Sequence, residues 1–346
     1  MLTPELDAFI TRMPKVELHI HLEGTAVPQT LLELAQQNHV EISAKTVADV
    51  EQLFRYHTFS DFLNVFMDLA RAFKRGEDFE RLAYEMALRS AAQNVVYSEV
   101  MISPMQHVPR QVNLLEAVQG MAAGFDRAKQ ETGIQAVTCL DYGRQYGVEQ
   151  AWHVLEMAKP AMEYGLVGWS IGGYEPDYPP EPYREVFAAA RAMGLRVMAH
   201  AGEVVGPPSI WGAVDVLECE RIGHGIRSIS DPALVAHLRD KGVTLDICPT
   251  SNVCTGAVKS LAEHPLRQLF EAGVRLTINS DDPTFFHTTI TDEYRLAVDY
   301  FGFSVDDLCH TVLDAVQATF LPPDQQANLY QRVNNELTAL RRELGV

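Results

Sequence analysis

The chain has 346 residues, 47% of them hydrophobic and 21% charged, the composition of an ordinary globular protein long enough for an α/β barrel with insertions. Its 28 basic and 46 acidic residues give a formal net charge of −18, which speaks against binding nucleic-acid phosphates or an anionic membrane surface. Five cysteines without a C-x-x-C pair indicate neither a zinc ribbon nor a disulfide framework. A reducing cytoplasm is the expected compartment. The acidic N-terminus lacks a signal-peptide core, and no apolar run approaches the ~18 residues of a membrane helix.

Residues 1–13 are expected to form a short helix leading into residues 15–24 (KVELHIHLEG), where apolar and polar residues alternate as on a strand. Residues 28–37 have helical spacing. No strand pattern follows between about 45 and 93; residues 58–66 and 79–91 instead show helical apolar spacing, a helical insertion after the first strand. From there strands and helices alternate. Strands are expected at 94–103, 134–141, 166–172, 195–201, 221–225, 243–248 and 274–280, with helices at 113–131, 147–163, 182–193, 213–219 and 232–241. Eight strands, each followed by helix, predict a (β/α)₈ TIM barrel. A doubly wound sheet is the structural alternative, but the Gly-rich phosphate turn expected after its first strand is missing. Helices at 305–320 and 323–344 form a C-terminal appendix over about 304–346, so residues 1–346 read as one barrel domain.

In such barrels chemistry collects at the C-terminal ends of the strands. His19 and His21, two apart on the first strand, point to one side and suit a single metal ion. His200 ends the fifth strand and is followed by Glu203; His224 lies between two glycines in the sixth; Asp281 and Asp282 end the eighth. His19, His21, His200 and one of the two aspartates make a chemically sensible zinc site with an open position for water. Iron, manganese and cobalt accept the same ligand types. Each residue alone has a plainer explanation. His200 would be a core histidine, His224 a turn residue, the Asp pair a helix N-cap before Pro283, and Glu203 a solvated loop acid. Four strand ends carrying such residues at once argue for a shared site, with Glu203 over the metal as a general acid. Phe59, Phe62, Leu63 and Phe66 suggest an apolar lid, although ordinary helix packing is the preferred account of any one of them.

The set KVELHIHLEG, MAHAGE, RIGHG, CPTSN and NSDDP, in order from residue 15 to residue 283, resembles the adenosine deaminase family of the amidohydrolase superfamily. The resemblance implies one zinc ion per subunit on His19, His21, His200 and Asp281, and hydrolytic deamination of a purine. Glu203 would protonate N1. His224, with Asp281, would orient the attacking water and help to take its proton. Asp282 would bond N7, and the backbone of Gly173 would meet N3. His21 and Glu23 would lie on the sugar side. Two features depart from the adenosine-using pattern. Glu23 stands where Asp is frequent, and Ser170-Ile171-Gly172-Gly173-Tyr174-Glu175 replaces a form like DLAGDE. The stretch after Asp282-Pro283, TFFHTTI, is closer to nucleoside-using members than to adenine deaminases. The expected substrate is a small 6-aminopurine nucleoside, adenosine or 2′-deoxyadenosine, giving the 6-oxopurine and ammonia. Adenine and 6-aminodeoxyfutalosine are the alternatives; a barrel hydrolase of another ester or amide, or a non-catalytic purine-binding barrel, is more distant. The H-x-E and P-C-x-x-C signatures of the other zinc deaminases are absent.

Overall fold

A computed structural model describes residues 2–346. Eight parallel strands follow one another in sequence order around a barrel. They are β1 (Lys15–His21), β2 (Val95–Ile102), β3 (Gln135–Gly143), β4 (Leu166–Gly172), β5 (Arg196–Ala201), β6 (Arg221–His224), β7 (Thr244–Ile247) and β8 (Leu276–Ile278). β8 is shorter than the expected 274–280, and the reason lies at the seam with β1. There the Asn279 side-chain oxygen accepts the backbone N–H groups of Leu18 and His19 at 2.8 and 3.1 Å. An amide side chain thus replaces a rung of the ladder. Above it one parallel bridge joins Ile20 to Asp281. The His21 N–H donates to Asp281 O at 2.9 Å and the Asp281 N–H to His19 O at 3.1 Å. The seam that closes the barrel therefore also fixes His19, His21 and Asp281 relative to one another.

The insertion is helical as expected: Val47–Leu53, Phe59–Leu69 and Gly76–Ala92. Thr46 and Thr58 open the first two with capping boxes completed by Asp49 and Asp61. Helices Pro28–Gln37, Pro232–Lys241 and Pro323–Leu344 keep their expected bounds. Each begins with proline, whose missing N–H costs nothing in the first turn. The expected helix at 213–219 is replaced. Pro207 and Pro208 start a helix earlier, Pro207–Trp211, and the chain continues as a π-helical turn, Gly212–Val216. The apolar spacing of 213–219 reflects that widened turn, closed by Leu217 N–H to Gly212 O at 3.0 Å.

The C-terminal helices Val305–Ala318 and Pro323–Leu344 do more than decorate the barrel. The residues that follow the first of them reach its lower end, where the Phe320 N–H donates to Glu99 at 2.5 Å. Ala318 O accepts from Arg221 at 2.9 Å, and the guanidinium of Arg221 lies 4.1 Å from the centre of the Phe320 ring. Arg221 is fully buried and bonds Glu99 of β2 at 2.5 Å and Asp246 of β7 at 3.1 Å. Among the described residues no helix is long and apolar enough to cross a membrane.

Candidate active site

The upper ends of the strands bring together the seven polar side chains that the sequence singles out for metal and catalysis. One ring nitrogen from each of His19, His21 and His200 lies within 4.8 Å of the others. Asp281 Oδ1 is 3.4 Å from Nε2 of both His19 and His21. His224 stands beside them, its ring centre 4.9 Å from that of His19. Its Nε2 is 3.7 Å from Glu203 and 3.9 Å from Asp281. Two glycines make this crowding possible. A Cβ on Gly223 would lie 2.7 Å from the His19 ring, and one on Gly24 would lie 1.8 Å from Asp282 Oδ1. His224 and Asp281 themselves take left-handed backbone conformations, with φ of 61° and 63°. Such strain is rare outside glycine and costs of order 1–3 kcal/mol per residue; here it sits on two side chains turned toward the same centre.

The donors fit a divalent metal ion. Both ring nitrogens of His19 and Nδ1 of His21 are buried without a hydrogen-bond partner. Buried polar atoms left this way are costly unless something occupies them. Three imidazoles and one carboxylate are the ligand types of a four-coordinate or open zinc site. Asp281 and Asp141 are buried beside these rings and would bring negative charge to the ion.

That burial divides the acids by role. Burial pushes the Glu203 carboxyl up to about 8, helped by the negative charge of Asp281, so it carries a proton at neutral pH. Burial would also raise Asp281, but hydrogen bonding and charge from His19, with His224 and His21, hold it well below the usual range. Its neighbour Asp282 goes the other way, raised by burial and then by Asp281. Two adjacent aspartates are thus shifted in opposite directions by the same site. Burial works against a charged His200, yet Asp141 overrides it and lifts His200 to about 9. Asp141, in turn, is brought to about 2 against its own burial.

Several supporting residues escaped the sequence reading. Asp141 lies two residues before the end of β3, 3.2 Å from His200 Nδ1. It obeys the same strand-end rule as the others, but no second ligand-type residue beside it draws attention. Ser251 donates to Asp281 Oδ2 at 2.6 Å, and Arg144, fully buried, donates to the carbonyl of His200. Glu175 accepts the backbone N–H groups of Gly202, Val204 and Val205 at 2.6–2.9 Å, pinning the loop that carries Glu203. The CPTSN and SIGGYE segments were visible in the sequence, but these contacts depend on strand order.

A cleft of about 660 Å³ opens above this cluster. His21, His200, Glu203, His224, Asp281 and Asp282 line its floor, and Gly173, Gln145, Ser103 and Gln106 its sides. Phe59, Phe62, Leu63 and Phe66 form an apolar wall, and Phe62 and Phe66 also pack on Phe286 and Phe285. Helix packing and cleft lining are therefore not alternatives for these residues. Glu23, expected on the sugar side of the substrate, is not among the residues that line the cleft. Its Oε1 accepts from Ser103 N at 2.9 Å and pairs with His107 at 2.8 Å, and its Oε2 is buried without a partner.

A (β/α)₈ barrel that gathers histidines and carboxylates at its upper strand ends, as here, has the architecture of the amidohydrolase-type deaminases. The sequence model of the adenosine deaminase family matches residues 14–336, and the chain belongs to that family. It is a hydrolytic deaminase. An adenine deaminase of Rhodospirillum rubrum is 33% identical, covering 94% of this chain and 97% of its own. An aminodeoxyfutalosine deaminase of Streptomyces avermitilis is 35% identical, covering 97% and 94%. Among solved structures, an amidohydrolase from Burkholderia ambifaria with bound zinc superposes with a TM-score of 0.91 at 27% identity, over 100% of this chain and 96% of that one.

Proposed function

We propose that the chain is a zinc-dependent deaminase of 6-aminopurine nucleosides, converting adenosine or 2′-deoxyadenosine to the 6-oxopurine nucleoside and ammonia. The observation that carries the chemistry is the convergence of three histidines and Asp281 on one point, with His224, Glu203 and Asp282 beside it on the floor of the cleft. His19, His21, His200 and Asp281 would hold the ion, one per subunit. When bound, it supplies the Lewis acidity that makes a water nucleophilic near neutral pH. Glu203, protonated, donates to the ring nitrogen N1 and so makes C6 electrophilic. Asp282, whose carboxyl is pushed up by burial and by Asp281, would bond N7, an acceptor. Asp281 and His224 flank the face of the ring from which water attacks. Ammonia leaves from that carbon.

The nucleoside assignment draws on the stretch after Asp282-Pro283, TFFHTTI, which resembles the nucleoside-using members more than the adenine deaminases. Glu23, through Ser103, shapes the side of the cleft where a sugar would lie. A second reading, free adenine, draws on the relative from R. rubrum and on the shared HLEG segment. A third, a 5′-extended nucleoside, draws on the relative from S. avermitilis. Zinc-loaded protein should be incubated with adenosine, adenine and 6-aminodeoxyfutalosine and the ultraviolet change from 6-amino to 6-oxopurine followed. Adenosine should give the highest kcat/KM. A preference for adenine would transfer the assignment to the free base, and silence toward all three would end the purine reading.

A further inference from the structure

Behind His224 lies a chain of buried polar contacts that leads away from the cleft. His224 Nδ1 is 3.1 Å from the side-chain Nδ2 of Asn252. Asn252 Oδ1 is 3.1 Å from Nε2 of His264. At the far end the backbone N–H of Leu266 donates to His264 Nδ1 at 3.1 Å. His224, Asn252 and His264 are 1%, 0% and 4% exposed, so water does not serve these atoms in place of their partners.

The direction of this chain follows from its last link. A backbone N–H only donates, so His264 Nδ1 must accept and bears no proton. A neutral His264 then carries its proton on Nε2 and donates to Asn252 Oδ1. That orients the amide, and its NH₂ group donates to His224 Nδ1. Turning the amide over fails. Its NH₂ would then face His264 Nε2, which would need a bare nitrogen, moving the His264 proton onto Nδ1 and against the Leu266 N–H. A doubly protonated His264 meets the same collision.

We infer that Asn252 and His264 are positioning residues that lock His224 in the tautomer protonated on Nε2, so that His224 serves the reaction as a hydrogen-bond donor and not as its base. Nε2 is the nitrogen that faces Glu203 and Asp281, at 3.7 and 3.9 Å. Those distances are too long for direct hydrogen bonds and leave room for an oxygen atom among the three groups. Given the deaminase reading, that oxygen is the attacking water. As its bond to C6 forms, its proton passes to Asp281, the proton of Glu203 passes to N1, and His224 keeps its own while donating to the oxygen. Removing the base role from His224 explains why a strained backbone and a buried amide are spent on its orientation.

Histidine-selective ¹⁵N labelling of the zinc-loaded protein tests the lock directly. Two-bond nitrogen–proton spectra distinguish the bare from the protonated ring nitrogen, and His224→Gln and His264→Gln identify the two signals. The expected result is a protonated Nε2 and a bare Nδ1 on both rings. A proton on Nδ1 of His224 overturns the inference. In Asn252→Asp the new carboxylate only accepts, so the His224 proton should move to Nδ1. kcat should fall on the order of 10²-fold or more with KM nearly unchanged, as when a catalytic histidine is held in the wrong tautomer. A moved proton with an unchanged kcat overturns the donor role. The wild-type spectrum decides the tautomer even if that variant does not fold. The inference separates from the substrate assignment. A protein with the expected spectrum but no activity on any 6-aminopurine would sink the deaminase reading and leave the lock standing.

Discussion

The barrel has two buried polar clusters, and they are built to opposite rules. At the lower end Arg221 meets Glu99, Asp246, two backbone carbonyls and a methionine sulfur. Among the described residues, no side-chain nitrogen or oxygen of Glu99, Arg221, Asp246 or Thr277 is left without a partner. At the upper end His19, His21 and Asp282 each keep at least one buried atom unmatched. Both clusters pay desolvation; only the lower one is repaid within the chain. The contrast teaches how to tell a structural charge network from a binding site when both are equally buried. The first closes its own hydrogen-bond account, and the second waits for a guest.

Substitutions that strike one end and spare the other test this division. The largest effect should come from Glu203→Gln. It keeps the size of the side chain and removes the donated proton, so kcat should fall about 10²–10⁴-fold. Zinc content by elemental analysis and the thermal midpoint should stay near wild type. Loss of zinc together with activity would mean that Glu203 organises the metal instead of protonating the substrate. Next is Arg221→Met at the lower end, which strands two buried carboxylates and should cost about 3–5 kcal/mol of stability. The folded fraction should keep its kcat. If the unfolding midpoint barely moves, the lower cluster is not the closed network its contacts describe.

The third effect is pH-dependent and belongs to the upper end. Burial holds His264 down at about 4, against an ordinary 6.5. Between those values the unfolded chain binds a proton that the folded chain refuses. The contribution of this group to stability therefore rises with pH through that window and is lost on acidification. At about 1.4 kcal/mol per pH unit the whole shift amounts to ~3 kcal/mol. His264→Gln should flatten the pH profile of the unfolding midpoint between about 4 and 6.5 relative to wild type. An unchanged slope would mean that His264 already accepts a proton in the folded state, against the acceptor role of its Nδ1.

The two ends also differed in how far the sequence revealed them. His19, His21, His200, Glu203, His224, Asp281 and Asp282 are legible because a parallel barrel puts strand C-termini at one end, so local position implies convergence. Arg221, Glu99 and Asp246 carry no such mark. Arg221 and Glu99 are 122 residues apart, and each is the only Asp, Glu, Lys or Arg in its strand. Pairing them requires knowing how the strands are staggered. Asp141, Asn252 and His264 were missed for a related reason: each acts on another side chain, and hydrogen-bond partners leave no spacing pattern in sequence. The π-helical turn at 212–216 and the three-residue β8 were missed because each depends on a single backbone or amide substitution for regular pairing, invisible to periodicity.

The smallest effects make the sharpest comparison, because the same chemical deletion can be made at both ends. The hydroxyl of Ser251 donates to Asp281 Oδ2 at 2.6 Å, and that of Thr277 to Asp246 Oδ1 at 2.9 Å. Each bond holds one carboxylate oxygen in a buried cluster. Ser251 leaves Asp281 Oδ1 free toward His19 and His21, so Ser251→Ala should loosen the carboxylate without removing it. Zinc affinity, measured by chelator competition, should fall about tenfold, the lower part of the range for a lost partner of a metal ligand. kcat per bound zinc should hold. Thr277→Val has no guest to lose. It should lower stability by about 1–2 kcal/mol and leave zinc affinity untouched. One link joins the clusters: Asn279 donates to Thr277 Oγ1 at 2.8 Å and accepts the His19 backbone N–H at 3.1 Å; it leaves the ligand side chains in place, so the double variant should show the sum of the separate effects. A change in zinc affinity on Thr277→Val would mean instead that the lower network reaches up the barrel and helps to set the site above it.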